Sequence, residues 1–90
     1  MKATLNGKVV LVTGGARRVG AAIARALHAR GARVMIHHRS SAREAQALAK
    51  SLNAVRDNSA ACVKADLLDA AAPRVLLQAC LQTFEIGRAH

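Results

Sequence analysis

Tyrosine and tryptophan are absent from this 90-residue chain, and Phe84 is its one aromatic residue. A nucleic-acid module that stacks bases on aromatic faces has nothing to build with here, so no nucleic-acid partner is expected. Only two cysteines occur, Cys62 and Cys80. They are too few for a disulfide framework and too far apart for a Cys-x-x-Cys metal site. They read as reduced thiols packed as small hydrophobes, which fits a cytoplasmic location. No apolar run reaches the ~18 residues of a membrane span. The first six residues lack the pattern of a signal peptide, and no membrane partner is expected. Acid is missing from the first half: no Asp or Glu precedes Glu44, whereas nine lysines and arginines do. The remainder is balanced, so the formal charge of +9 arises entirely before Glu44. A polyanionic partner belongs there.

A hydrophobic fraction of 52% argues against disorder, although much of it is alanine and the core is thin. The length allows one small domain and excludes a cofactor domain joined to a substrate domain. Residues 8–13 form a valine-rich run between glycines and read as a strand buried on both faces. Val19, Ala22, Ile23, Ala26 and Leu27 then recur at helical spacing, and Gly31 follows where a left-handed helix cap belongs. Residues 33–38 read as a second strand. Ser41 and Glu44 have the spacing of a capping box, ahead of a buried stripe of Ala45, Leu48, Ala49 and Leu52. Residues 53–59 read as a loop and 60–65 as a third strand. Pro73 marks a third helix, with Asp69 a possible cap before it. Its expected face is Leu77, Cys80, Leu81 and Phe84. The fold class expected is α/β: the N-terminal half of a doubly wound, Rossmann-type parallel sheet in the order β-α-β-α-β-α.

The segment from Thr13 to Gly20, TGGARRVG, joins the first strand to the first helix. Glycines let the backbone approach an anion closely, and a helix N-terminus offers unpaired N–H groups and partial positive charge. Such a unit reads the adenine ribose at the end of its second strand. An acid there favours NAD, and a basic group can pair with the 2′-phosphate of NADP. Here that end is His37, His38, Arg39 and Ser40, so the expected cofactor is NADPH. Adjacent His37 and His38 point to opposite faces of a strand and cannot chelate a metal together. Asp66 and Leu67 follow the third strand, where Asp66 could accept from the adenine amino group or cap the next turn.

Thr13, Gly14 and Gly20, with Asp66 and Leu67, resemble the short-chain dehydrogenase/reductase family, whose usual pattern is T-G-x-x-x-G-x-G. Arg18 stands where the middle glycine is expected. That departure, with His38, Arg39, Ser40 and the run from Leu52 to Leu67, resembles the pteridine reductase branch. The resemblance covers about residues 8–84. It implies that Thr13, Gly14, Arg17, Arg18, Val19 and Gly20 line the cofactor. It also implies that Arg18 reaches the pterin or the pyrophosphate, that His38, Arg39 and Ser40 hold the 2′-phosphate, and that Asp66 and Leu67 flank the adenine. The implied parent is an NADPH-dependent, homotetrameric reductase of pterin or folate-like substrates. A carbonyl reductase such as a 3-oxoacyl-carrier-protein reductase is the alternative within the family. A small basic nucleic-acid-binding module is the distant alternative, motivated by a pI near 11.4.

The family reacts through a Tyr-x-x-x-Lys pair, for which a chain without tyrosine offers no candidate. No Ser/His/Asp set replaces it, so no catalytic residue and no metal ligand is assigned, and the chain is expected to be inactive. Residues 1–84 read as a partial NADP-binding Rossmann domain. Residues 85–90 read as neither helix stop nor apolar strand, and are taken as a tail foreign to a reading frame cut short. With strand order 3-2-1, the first strand would keep an apolar open edge, a hazard for self-association.

Overall fold

A computed structural model describes residues 5–14 and 17–84. Gly15, Ala16 and the tail 85–90, all weighed above, lie outside them. The elements are β1 (Val9–Val12), α1 (Arg18–Ala29), β2 (Arg33–His38), α2 (Ala42–Val55), β3 (Ala60–Lys64) and α3 (Ala72–Phe84). The strands form one parallel sheet in the order β1-β2-β3, with Val9 opposite Arg33 and Val34 opposite Ala60. This is the Rossmann-type half that the alternation of patterns implies. No described helix is long and apolar enough to cross a membrane.

The centre of the sheet, not its first strand, is buried on both faces. In β2, Val34 and Ile36 pack with Ala24 of α1 and with Ala45, Leu48 and Leu52 of α2. Met35 points the other way and packs with Cys80 and Phe84 of α3. Val10 and Val9 of β1 pack against the clusters on its two faces, but the strand is only partly buried, short of the full burial expected. Leu11 is 37% exposed, and an apolar cavity of about 500 Å³ opens beside β1, lined by Leu11, Leu67, Leu76 and Leu77 among others.

The stripe expected for α2 is the buried one, Ala45, Leu48, Ala49 and Leu52. That of α1 is wrong by about one position. Ala24 and His28 are buried, Ala21 and Leu27 half-buried, and Val19 and Ile23 face outward at 73% and 47% exposure. In α3 Cys80 and Phe84 are buried as expected, but Leu76 is buried where Leu77 and Leu81 were expected, and these two are exposed. The helix α2 also runs on through Asn53, which had been read as loop. There the Asn53 amide takes the N–H groups of Ser59 and Ala60 and donates to the Ala60 carbonyl, clamping the start of β3. At the end of α1, Gly31 has φ +101°. Its N–H bonds the His28 carbonyl, and the Ala32 N–H bonds the Leu27 carbonyl, a Schellman motif. A Cβ at Gly31 would press on the side chain of Asn6.

His28 lies off the expected apolar stripe, yet it is 3% exposed. Its Nε2 meets Ser59 Oγ at 2.7 Å, and the Arg56 guanidinium donates to the His28 and Ala32 carbonyls. Burial, and then the Arg56 charge, hold the imidazole below its ordinary value of 6.5. The unfolded chain therefore binds a proton more readily than the folded one as pH falls. Stability should be level above about 6.5 and fall as pH drops from there toward the lower, folded-state value. Urea unfolding midpoints across this range should show that decline, and His28→Gln should flatten it.

Candidate functional site

Parallel strands deliver their C-terminal ends to one edge of the sheet, where the connecting turns leave a crevice. Here that crevice is a cleft of about 200 Å³ lined by Gly14, Arg17, His37, His38, Arg39 and Ser40, with Ser41 beneath. Five of the residues singled out in the sequence thus meet: Gly14, Arg17, His38, Arg39 and Ser40. Gly14 leaves β1 with φ +61°, a conformation that glycine adopts without steric cost.

Arg17 occupies the N-cap position of α1 and makes no side-chain cap bond, and the first turn carries no acid. The positive end of that helix therefore has no carboxylate of its own first turn beside it. Arg18 opens the helix with φ +32°. This left-handed backbone stands at the position where the family pattern has glycine, so the side chain is held there against its conformational preference. Two loose, exposed ion pairs steady the flanking arginines. Arg17 Nε lies 3.6 Å from Glu44, and Arg39 Nη2 lies 3.7 Å from Asp66. Pairs this exposed contribute ~0–1 kcal/mol and are easily exchanged for a ligand anion.

The capping box is not formed. Ser41 sits at the N-cap of α2 but makes no side-chain cap bond, and Glu44 turns to Arg17 instead. Asp66 does what its turn-capping alternative required: its Oδ1 accepts from the Leu68 N–H at 3.0 Å. Asp69 repeats the motif on Ala71 just ahead of α3. The remaining residues singled out are more dispersed. Thr13 is exposed at the end of β1, and Gly20 is half-buried in the first turn of α1. Val19 points outward, and Leu67 lines the apolar cavity rather than the cleft.

The donor set of the cleft suits a phosphate-bearing nucleotide. Arg17, Arg39 and Ser40 offer guanidinium and hydroxyl donors. His38 is 7% exposed and its Nδ1 has no hydrogen-bond partner among the described residues. A buried polar atom left unpaired is costly unless something meets it. The sequence reading missed His37, which is 4% exposed and bonded on both ring nitrogens. Its partners are backbone atoms of Gly14 and Ala65, which no side-chain motif announces. Cys62 and Cys80 are unpaired, and burial pushes both thiols above their usual value.

Comparison with known proteins adds to this geometry. The sequence pattern of the short chain dehydrogenase family matches residues 8–88. A pteridine reductase 1 of Leishmania tarentolae is 54% identical over 63 residues, covering 70% of this chain and 22% of that protein. A hydroxynaphthalene reductase of Aspergillus fumigatus is 46% identical over 63 residues, 70% of this chain and 23% of its own. Versicolorin reductase 1 of Aspergillus parasiticus is 38% identical over 80 residues, 89% of this chain and 30% of its own. The chain spans less than a third of the length of each of these relatives.

Proposed function

The chain belongs to the short-chain dehydrogenase family, and on that premise we propose that it is the N-terminal, cofactor-binding part of an NADPH-dependent oxidoreductase acting on a pterin or folate-like substrate. One observation carries the choice of cofactor: Arg39 and Ser40 line the cleft at the end of β2, and that strand end has no acid. The 2′-phosphate would lie against Arg39 and Ser40, with the unpaired His38 Nδ1 at hand. The pyrophosphate would meet the N-terminus of α1 and Arg17, and the adenine would rest by Asp66. NADPH, when bound, supplies a hydride; the residues of this chain bind and orient it.

The 54% identity to a pteridine reductase supports the pterin side of this reading. So does Arg18, a charged group standing where the family pattern has glycine. The hydroxynaphthalene and versicolorin reductases among the relatives favour a carbonyl substrate as the second reading. Free thiols at Cys62 and Cys80 support a reducing, cytoplasmic setting.

Calorimetric titration of the chain with NADPH, NADH and a random DNA duplex over a salt series tests the proposal. NADPH should bind at least about tenfold tighter than NADH, as expected for one added charge-assisted contact. DNA affinity that falls steeply with salt, without NADPH affinity, would overturn the reading in favour of a basic nucleic-acid module.

A further inference from the structure

Because β2 is the central strand, its C-terminal end stands between the ends of β1 and β3. His37 occupies that end and bridges the gap. Its Nδ1 accepts from the Gly14 N–H at 3.0 Å, and its Nε2 lies 2.8 Å from the Ala65 carbonyl oxygen. The two bonds fix the ring. A carbonyl only accepts, so Nε2 carries the proton, and the amide of Gly14 requires the lone pair that this leaves on Nδ1. His37 joins segments 23 and 28 residues away in the chain. One is the first glycine of the turn into α1; the other directly precedes Asp66. Gly14 sits at φ +61°, a region open to glycine, where several neighbouring conformations would also be accessible without a tether. Its N–H is directed at the ring rather than at the cleft.

We propose that His37 is a positioning residue for the cofactor: its Nδ1 lone pair anchors Gly14 and so sets where the glycine turn and the N-terminus of α1 stand relative to Arg39 and Asp66. Both its ring nitrogens are bonded within the chain, so it offers the ligand no hydrogen bond of its own. The assignment rests on the NADPH reading above, and it adds a residue that none of the cleft's charged groups would reveal. It also implies that Gly14 contributes its backbone shape to the site, while its N–H is already occupied.

Two isosteres separate the two bonds. Asn places an amide oxygen near the position of Nδ1 and can still accept from Gly14. Gln places its NH₂ near the position of Nε2 and can still donate to Ala65. NADPH titration should find His37→Leu weakened about tenfold or more, the scale of one well-placed hydrogen bond. His37→Asn should lie within about threefold of the parent, and His37→Gln should fall with His37→Leu. A general loss of stability would weaken all three variants together, so the Asn/Gln split isolates positioning. Long-range ¹H–¹⁵N spectra of the parent chain at neutral pH should report the tautomer protonated on Nε2. That reading stands even if His37→Leu does not fold. A tautomer protonated on Nδ1, His37→Leu binding as the parent does, or His37→Gln rescuing as well as His37→Asn would each overturn the assignment. A parent chain that fails to bind NADPH would instead bring down the cofactor reading on which the assignment rests.

Discussion

Arg39→Ala should weaken NADPH binding by about ten- to thirtyfold while leaving NADH within about twofold. The two nucleotides differ only in the 2′-phosphate, so the split between them isolates the contact at the end of β2. A charge-assisted hydrogen bond contributes about 1.5–3 kcal/mol. The lower part of that range is appropriate, because the Arg39 side chain is 69% exposed and solvent screens it. Among the described residues Arg39 is paired with Asp66, at 3.7 Å. Asp66 is itself half-exposed and keeps its bond to the Leu68 N–H when the arginine goes. The substitution therefore strands no buried charge, and the unfolding midpoint should barely move. Arg25→Ala, on the exposed side of α1, is the control and should leave both affinities within about twofold. Equal losses of NADPH and NADH for Arg39→Ala would refute the placement of the 2′-phosphate.

The second large effect is an absence of turnover. Mixed with NADPH and either dihydrobiopterin or dihydrofolate, the 90-residue chain should oxidise the cofactor no faster than a blank. A positioned general acid typically contributes 10²–10⁴-fold, and the acid that the family resemblance calls for is a tyrosine, of which this chain has none. Two of the histidines are engaged elsewhere. His28 is held by Ser59, and His37 by Gly14 and Ala65. Burial pushes the thiols of Cys62 and Cys80 above their usual value, away from the reactive thiolate. Stopped-flow and steady-state absorbance at the NADPH band would check this. A rate that saturates in pterin would show that some other residue serves as the proton donor. Binding without turnover is the paired result that the cofactor-binding reading requires.

What was legible in the sequence followed from how each element buries itself. β2 could be bounded at Arg33 and His38, because a central parallel strand is apolar on both sides until it reaches the crevice. The stripe of α2 was readable because both its leucines, Leu48 and Leu52, face the sheet. α1 misled because two of its three large apolar residues, Val19 and Ile23, do not. Its inward face is built of Gly20, Ala21 and Ala24, small residues that let the helix lie close to the strands, with His28 satisfied by Ser59. Val19 and Ile23 carry more hydrophobicity and point outward, so the most hydrophobic direction is not the core direction. The capping box failed for a different reason. Glu44 is close enough to Arg17 to pair with it, and a tertiary ion pair replaced a local bond.

The cleft divides the same way. Arg39 and Ser40 were legible because position on a strand end and side-chain chemistry suffice to place them. His37 was not, since its role depends on two backbone atoms brought together only by the order of the sheet. The strained φ at Arg18 was legible only as a departure from the glycine of the family pattern.

Each strand of this sheet pairs with the one that precedes or follows it in the chain, across a separation of roughly 25 residues bridged by a single helix. Nothing in the described sheet must wait for a distant partner. Each pairing becomes available as soon as its second strand has been synthesised. The first β-α-β unit already brings Gly14 to His37. The bond from His37 to Ala65 follows only with β3, so the second half of the bridge is the last to close.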